Sequence, residues 1–213
     1  VAVAAEVRRA IATVHDVADR FTDTMVRRGI PWATVFLNHE TLSSDQFVSE
    51  LREGQSPVAT ASGLLDQTIT AVLSNCSVTK IVLLGYSEGA WIANAWARNA
   101  APDVAKHVAG IVFLGDPQWL HGRELGIVRR FGLSSNIFAL NPYIPATLAD
   151  RTWSYCIQGD PICGAGFEQF HSNTEQVNAA LQAEKDLPHC GPHCNYLPEQ
   201  TAQAAENLAS TVG

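Results

Sequence analysis

Apolar side chains at Val3, Val7, Ala10, Ile11, Val14, Val17, Phe21 and Met25 recur at steps of three and four, the spacing of one stripe on a helix. Gly29, with Pro31 just beyond it, predicts where that helix closes. Residues 32–37 then read as a short buried strand, and 38–57 as a polar, irregular loop. A second helix is expected over 59–73. An apolar, β-branched strand over 80–84 meets Gly85-Tyr86-Ser87-Glu88-Gly89, and an apolar helix over 90–97 follows. Another strand spans 108–114 and stops at Gly115-Asp116-Pro117. Residues 137–140 and 152–157 are shorter strand candidates. The stretch 159–198 is rich in Gly, Pro, Cys and His, and a polar helix covers 199–210. Strands alternating with helices predict an α/β fold, with a mostly parallel sheet and helices on both faces. There is no internal repeat or clear linker, so residues 1–213 are read as a single domain.

The remaining composition narrows the class. Hydrophobic residues at 46% and charged residues at 16% are those of a globular chain. A net charge of -7 lacks the basic footprint that nucleic acid requires. No apolar run approaches the roughly 18 residues of a membrane span. Charge interrupts the opening residues too soon for a signal peptide, so a secreted protein would carry its signal outside this sequence. Cys156/Cys163 and Cys190/Cys194 form two close pairs, the pattern of local loop staples in an oxidising compartment. Cys76 is left over, either a buried free thiol or the partner of a cysteine upstream of Val1.

Gly-x-Ser-x-Gly between a strand and a helix is the context of a nucleophile elbow. The sharp turn lifts the Ser87 hydroxyl above the strand end. The following helix aims its N–H groups, that of Glu88 first, where an oxyanion would form. A side chain at either glycine is expected to clash. Serine needs a histidine to take its proton and an acid to orient that histidine, in the chain order serine, acid, histidine. Asp116 and Asp160 each lie in a Gly-Asp-Pro triplet. Asp160 is favoured, because a disulfide across Cys156 and Cys163 would pin its loop, whereas Asp116 reads as a turn or cap. His193, just before the last helix, is favoured as base over His171 and His189. The run from His189 to Cys194 packs four potential metal ligands into six residues, too crowded for all four to face one tetrahedral ion although two or three could, and a Cys190–Cys194 disulfide is preferred. No metal or cofactor is expected.

Taken together, these residues resemble the cutinase family of serine esterases, which includes fungal and actinobacterial cutinases and acetylxylan esterases. The likeness rests on Gly85-Tyr86-Ser87-Glu88-Gly89-Ala90, on Phe113-Leu114-Gly115-Asp116-Pro117, on the cysteine-flanked Gly159-Asp160, and on His193-x-x-Tyr196 before the terminal helix. Cys76 resembles a cysteine that the family pairs near its N-terminus. The resemblance implies a compact, essentially lidless, three-layer α/β-hydrolase that cleaves carboxylic esters through an acyl-enzyme. It further implies Ser87, Asp160 and His193 as triad and Cys156–Cys163 as a disulfide. Three departures stand out. The residue after the serine is Glu88 where the family usually has glutamine, which adds a carboxylate that would repel anionic substrates or alter the pH optimum. The family's first strand, whose loop supplies the other oxyanion donor, is not found here. The interval from Asp160 to His193 is also long, so 164–192 is expected to be an insertion walling the site. Ile162, Phe167, Phe170 and Leu187 there would contact an acyl chain or pack the insertion's own core. The expected protein is a secreted, monomeric esterase of cutin-like, lipid or short-to-medium acyl esters at a lipid or polymer surface. Polysaccharide deacetylation, thioester hydrolysis and a catalytically silent binding role on the same fold are the alternatives.

Overall fold

A computed structural model describes residues 2–30, 57–116, 144–157, 160, 163, 193, 196 and 198–212, with the backbone alone over 2–14 and at 57. Helix α1 runs Ala2–Arg27. Its end is a Schellman closure: the Gly29 N–H bonds the Val26 carbonyl at 2.9 Å and the Ile30 N–H bonds that of Met25 at 3.0 Å. Gly29 takes φ +68°, as this closure requires. Met25 is fully buried and Ile30 packs against the same cluster, adding the apolar contact that accompanies the motif.

The elements that follow are α2 (Pro57–Asn75), β1 (Ile81–Tyr86), α3 (Glu88–Asn99), α4 (Pro102–Ala105), β2 (Val108–Leu114), α5 (Ala146–Ala149), β3 (Thr152–Tyr155) and α6 (Pro198–Ser210). The strands form a parallel sheet in the order β1-β2-β3. Side chains alternate across it. Leu83, Ile111 and Phe113 join the core built by α2 and α3, whereas Val112, Leu114, Trp153 and Tyr155 join the core built by α1 and α6. Helices therefore cover both faces, and the expected three-layer α/β architecture is present.

Between Ile81 and Val82 the partner on β2 steps from Val108 to Gly110. One extra residue there turns Val108 toward the α2–α3 core, although Val112 faces the other way. Helix α3 is buried from Ala90 to Asn94 and again at Trp96 and Ala97. The Trp96 indole N–H donates to the Asp66 carboxylate at 2.9 Å, tying α3 to α2. Arg28 at the end of α1 donates to the Ala209 carbonyl at 2.7 Å, tying α1 to α6.

Strand β1 reaches Tyr86, two residues beyond its expected end, because its ladder with β2 continues to Leu114. The β3 ladder ends at Tyr155, two residues short of its expected end, and Ile157 makes only an isolated bridge. Cys76 is exposed, which overturns its reading as a buried thiol. Among the described residues, no helix is long and apolar enough to cross a membrane. The strands expected over 32–37 and 137–140 lie outside the described residues, as does the loop expected over 38–57 except for Pro57, which begins α2.

Candidate active site

The turn between β1 and α3 has a conformation that few residues adopt. Ser87 sits at φ 52° and ψ -121°, and it is the only non-glycine residue with positive φ among those described. Such a backbone costs on the order of 1–3 kcal/mol and persists only where its surroundings over-determine it. Those surroundings are identifiable. The Ser87 N–H bonds the Leu114 carbonyl of β2 at 2.8 Å, and the Ser87 carbonyl accepts from Ala90 at 3.0 Å and Trp91 at 3.1 Å as α3 begins. Gly85 is required by contact: a Cβ there would lie 2.6 Å from the Ala90 Cα and from the Gly89 carbonyl oxygen. Gly89 differs from expectation, because a Cβ at that position meets nothing within 4 Å. The helix leaves its first turn toward solvent, so only the first glycine of the motif is sterically forced. Glu88 is the first residue of α3, at the positive end of the helix dipole.

Asp160 and His193 arrive from further along the chain. The Cys156–Cys163 disulfide closes a short loop after β3, with a Cα–Cα distance of 5.8 Å. Within it the Asp160 N–H bonds the Ile157 carbonyl at 3.1 Å, and the Asp160 Oδ1 accepts from the Cys163 N–H at 3.4 Å. The Asp160 side chain is fully buried and that of His193 is 12% exposed. His193 Nδ1 lies 2.9 and 3.0 Å from the two Asp160 oxygens, and Nε2 lies 2.9 Å from the Ser87 Oγ. A carboxylate can only accept, so the Nδ1 proton points to Asp160 and Nε2 is left to accept from the serine hydroxyl. Three residues spread over 106 positions of chain thus form one hydrogen-bonded line. Asp160, Cys156 and Cys163 also fall within 4.8 Å of one another as potential metal ligands, but both sulfurs are bound in the disulfide and offer no thiolate.

The imidazole rests on a built floor. Gly115 ends β2 at φ +61°, and a Cβ there would lie 2.8 Å from His193 Cε1 and 3.1 Å from Nδ1. The Gly115 N–H and the Tyr196 hydroxyl both donate to the Tyr155 carbonyl, at 2.9 and 3.0 Å. Burial, reinforced by the nearby charges of Asp160 and Tyr86, pushes the Tyr196 phenol well above its ordinary range. The Tyr86 hydroxyl donates to the His193 main-chain carbonyl, and the two rings lie 5.2 Å apart.

Asp116 is fully buried and accepts from the Asn94 amide at 2.5 Å. It joins the end of β2 to α3, and Pro117 and the residues after it, on which the expected turn or cap would rest, lie outside the described residues. Burial lowers the pKa of Arg98 on the same helix, and the Asp116 charge opposes that shift. Cys190, Cys194, His171, His189, Ile162, Phe167, Phe170 and Leu187, with the whole of 164–192, lie outside the described residues. The sequence reading missed Gly115, Tyr86 and Tyr155. For Gly115 a signal existed, since a glycine directly after an apolar strand marks a backbone to which something comes close.

Comparison with known proteins agrees with this architecture. The family model for cutinase matches residues 48–212, well over half of the chain. The carboxylesterase Culp1 of Mycobacterium tuberculosis (strain ATCC 25618 / H37Rv) is 28% identical over 185 residues, spanning 83% of this chain and 76% of that protein. Among solved structures, a cutinase-like protein from Cryptococcus sp. superposes with a TM-score of 0.55 at 16% identity, covering 93% of this chain and 87% of the other. An iodinated complex of acetylxylan esterase gives a TM-score of 0.54 at 23% identity, covering 74% and 72%. At these identities the solved structures speak for the fold alone.

Proposed function

The chain belongs to the cutinase family and is a carboxylic ester hydrolase; from that premise we propose that it is a serine esterase working through Ser87, His193 and Asp160. The observation that supports this reading above all others is the line Ser87 Oγ–His193–Asp160, with every contact at 2.9–3.0 Å. Ser87 attacks the ester carbonyl while His193 Nε2 takes the hydroxyl proton. Asp160 holds the imidazole in place and stabilises the imidazolium. The N–H at Glu88 receives the developing oxyanion, helped by the dipole of α3. The tetrahedral adduct collapses as the imidazolium returns its proton to the leaving alcohol, leaving an acyl group on Ser87. Water, deprotonated by His193, then attacks that ester, and the acid departs as the proton returns to Ser87.

The substrates we propose are uncharged, short-to-medium acyl esters. A net charge of -7 and a carboxylate at the residue after the nucleophile both disfavour anionic ones. The disulfide beside Asp160 supports an extracytoplasmic, secreted setting. The test is nitrophenyl ester hydrolysis across an acyl-length series, paired with labelling by a fluorophosphonate. Ser87→Ala should lower kcat by several orders of magnitude and abolish labelling, because triad members act as a unit. Near-normal turnover in that variant would refute the proposal.

A further inference from the structure

We propose that Tyr86, the residue directly before the nucleophile, is the positioning residue for the general base. The inference rests on the triad reading above and concerns what keeps His193 in register while its own bonds change. Two of the contacts to His193 belong to reacting groups. The Ser87 Oγ at 2.9 Å becomes an ester oxygen once the enzyme is acylated, and the bond to Asp160 alters character each time the imidazole gains or loses a proton. The bond from the Tyr86 hydroxyl joins the His193 main-chain carbonyl, and neither atom takes part in the chemistry. It holds the base in the free enzyme and in the acyl-enzyme alike.

Tyr86 is itself well fixed. It closes the β1 ladder opposite Leu114, and its ring meets that of Tyr196 edge-on at 79°, with centroids 5.9 Å apart. On its other side it lies 5.2 Å from the His193 ring. One strand end therefore sets the position of both partners of the proton transfer: the serine by covalent succession, and the histidine by a side-chain tether spanning 107 positions of chain. A displacement near 1 Å at a reacting group can cost about a hundredfold in rate, so a fixed reference shared by nucleophile and base has kinetic value.

Tyr86→Phe keeps the ring and removes only the tether. The variant is assayed with a nitrophenyl butyrate beside wild type and Ser87→Ala, at a temperature where circular dichroism shows each folded. The His193 Nδ1–H resonance is followed by proton NMR. We expect kcat and kcat/KM to fall together by about tenfold, with KM within about twofold and the imidazole resonance shifted or broadened. Tyr86→Leu, lacking ring and hydroxyl, should fall at least as far. Retention of kcat within about threefold in either folded variant overturns the tether. So does a loss confined to KM, or an unchanged imidazole resonance. If Ser87→Ala is inert while Tyr86→Phe is fully active, the tether alone fails. If Ser87→Ala is active, the triad fails and the tether with it.

Discussion

Gly115→Ala is the substitution whose outcome can be worked furthest from geometry. The added methyl would stand 2.8 Å from His193 Cε1, 3.1 Å from Nδ1 and 3.2 Å from the Tyr196 hydroxyl. Non-bonded carbons are at ease near 3.5 Å, so the imidazole must retreat by about 0.7 Å. The floor cannot yield instead, because the Gly115 N–H is bonded to the Tyr155 carbonyl. Holding alanine at φ +61° costs on the order of 1–2 kcal/mol, equivalent to a few degrees of melting temperature for a chain of this size. The rate should suffer far more. A shift approaching 1 Å at the base predicts a loss of about ten- to a hundred-fold in kcat, with KM little changed. The assay pairs steady-state hydrolysis of a nitrophenyl ester with calorimetric melting. A variant that melts normally and turns over at the wild-type rate would show that His193 does not rest on Gly115, and would remove the reasoning. A few degrees of lost stability at full activity would refute the kinetic part alone.

Two other outcomes follow from the same residues. Because the folded-state pKa of Tyr196 is raised, its contribution is complete below the unfolded value of about 10 and is lost as pH rises above it, by at most about 1.4 kcal/mol per pH unit; urea midpoints from pH 8 to 11 should fall less steeply in Tyr196→Phe, and identical slopes would refute the assignment. Replacing Cys156 and Cys163 together with alanine should cost about 2–3 kcal/mol for so short a loop and lower kcat by loosening Asp160, effects that a reductant should reproduce in wild type; unchanged melting and kcat would show that the crosslink holds nothing.

Much of this arrangement was legible from local pattern. Residues 108–114 read as a strand and form one with the same bounds, because a fully apolar, β-branched run buried on both faces has few other conformations. Gly29 signalled the end of α1, and the Gly85–Gly89 motif signalled the turn bearing Ser87. Asp160 and His193, favoured over Asp116 and the other late histidines, are the pair brought to Ser87. What escaped was the detail of which side chains the fold brings together and which it leaves in open space. Tyr86 looked like an interchangeable residue inside a motif, and its partner lies 107 positions away. Gly89 looked forced because the motif prescribes it, yet the space beside it is open. Of the two readings of Cys76, a buried thiol or the partner of an upstream cysteine, the first fails because its place in the polar turn after α2 leaves it in solvent.

The contorted backbone at Ser87 gives the chain two competing interests. Glycine would occupy φ 52° without penalty, so the sequence best suited to this turn is one that has lost its hydroxyl. On the reading proposed above, the reacting hydroxyl is held at a conformational cost, and Ser87→Gly would relax the turn while leaving the site without its nucleophile.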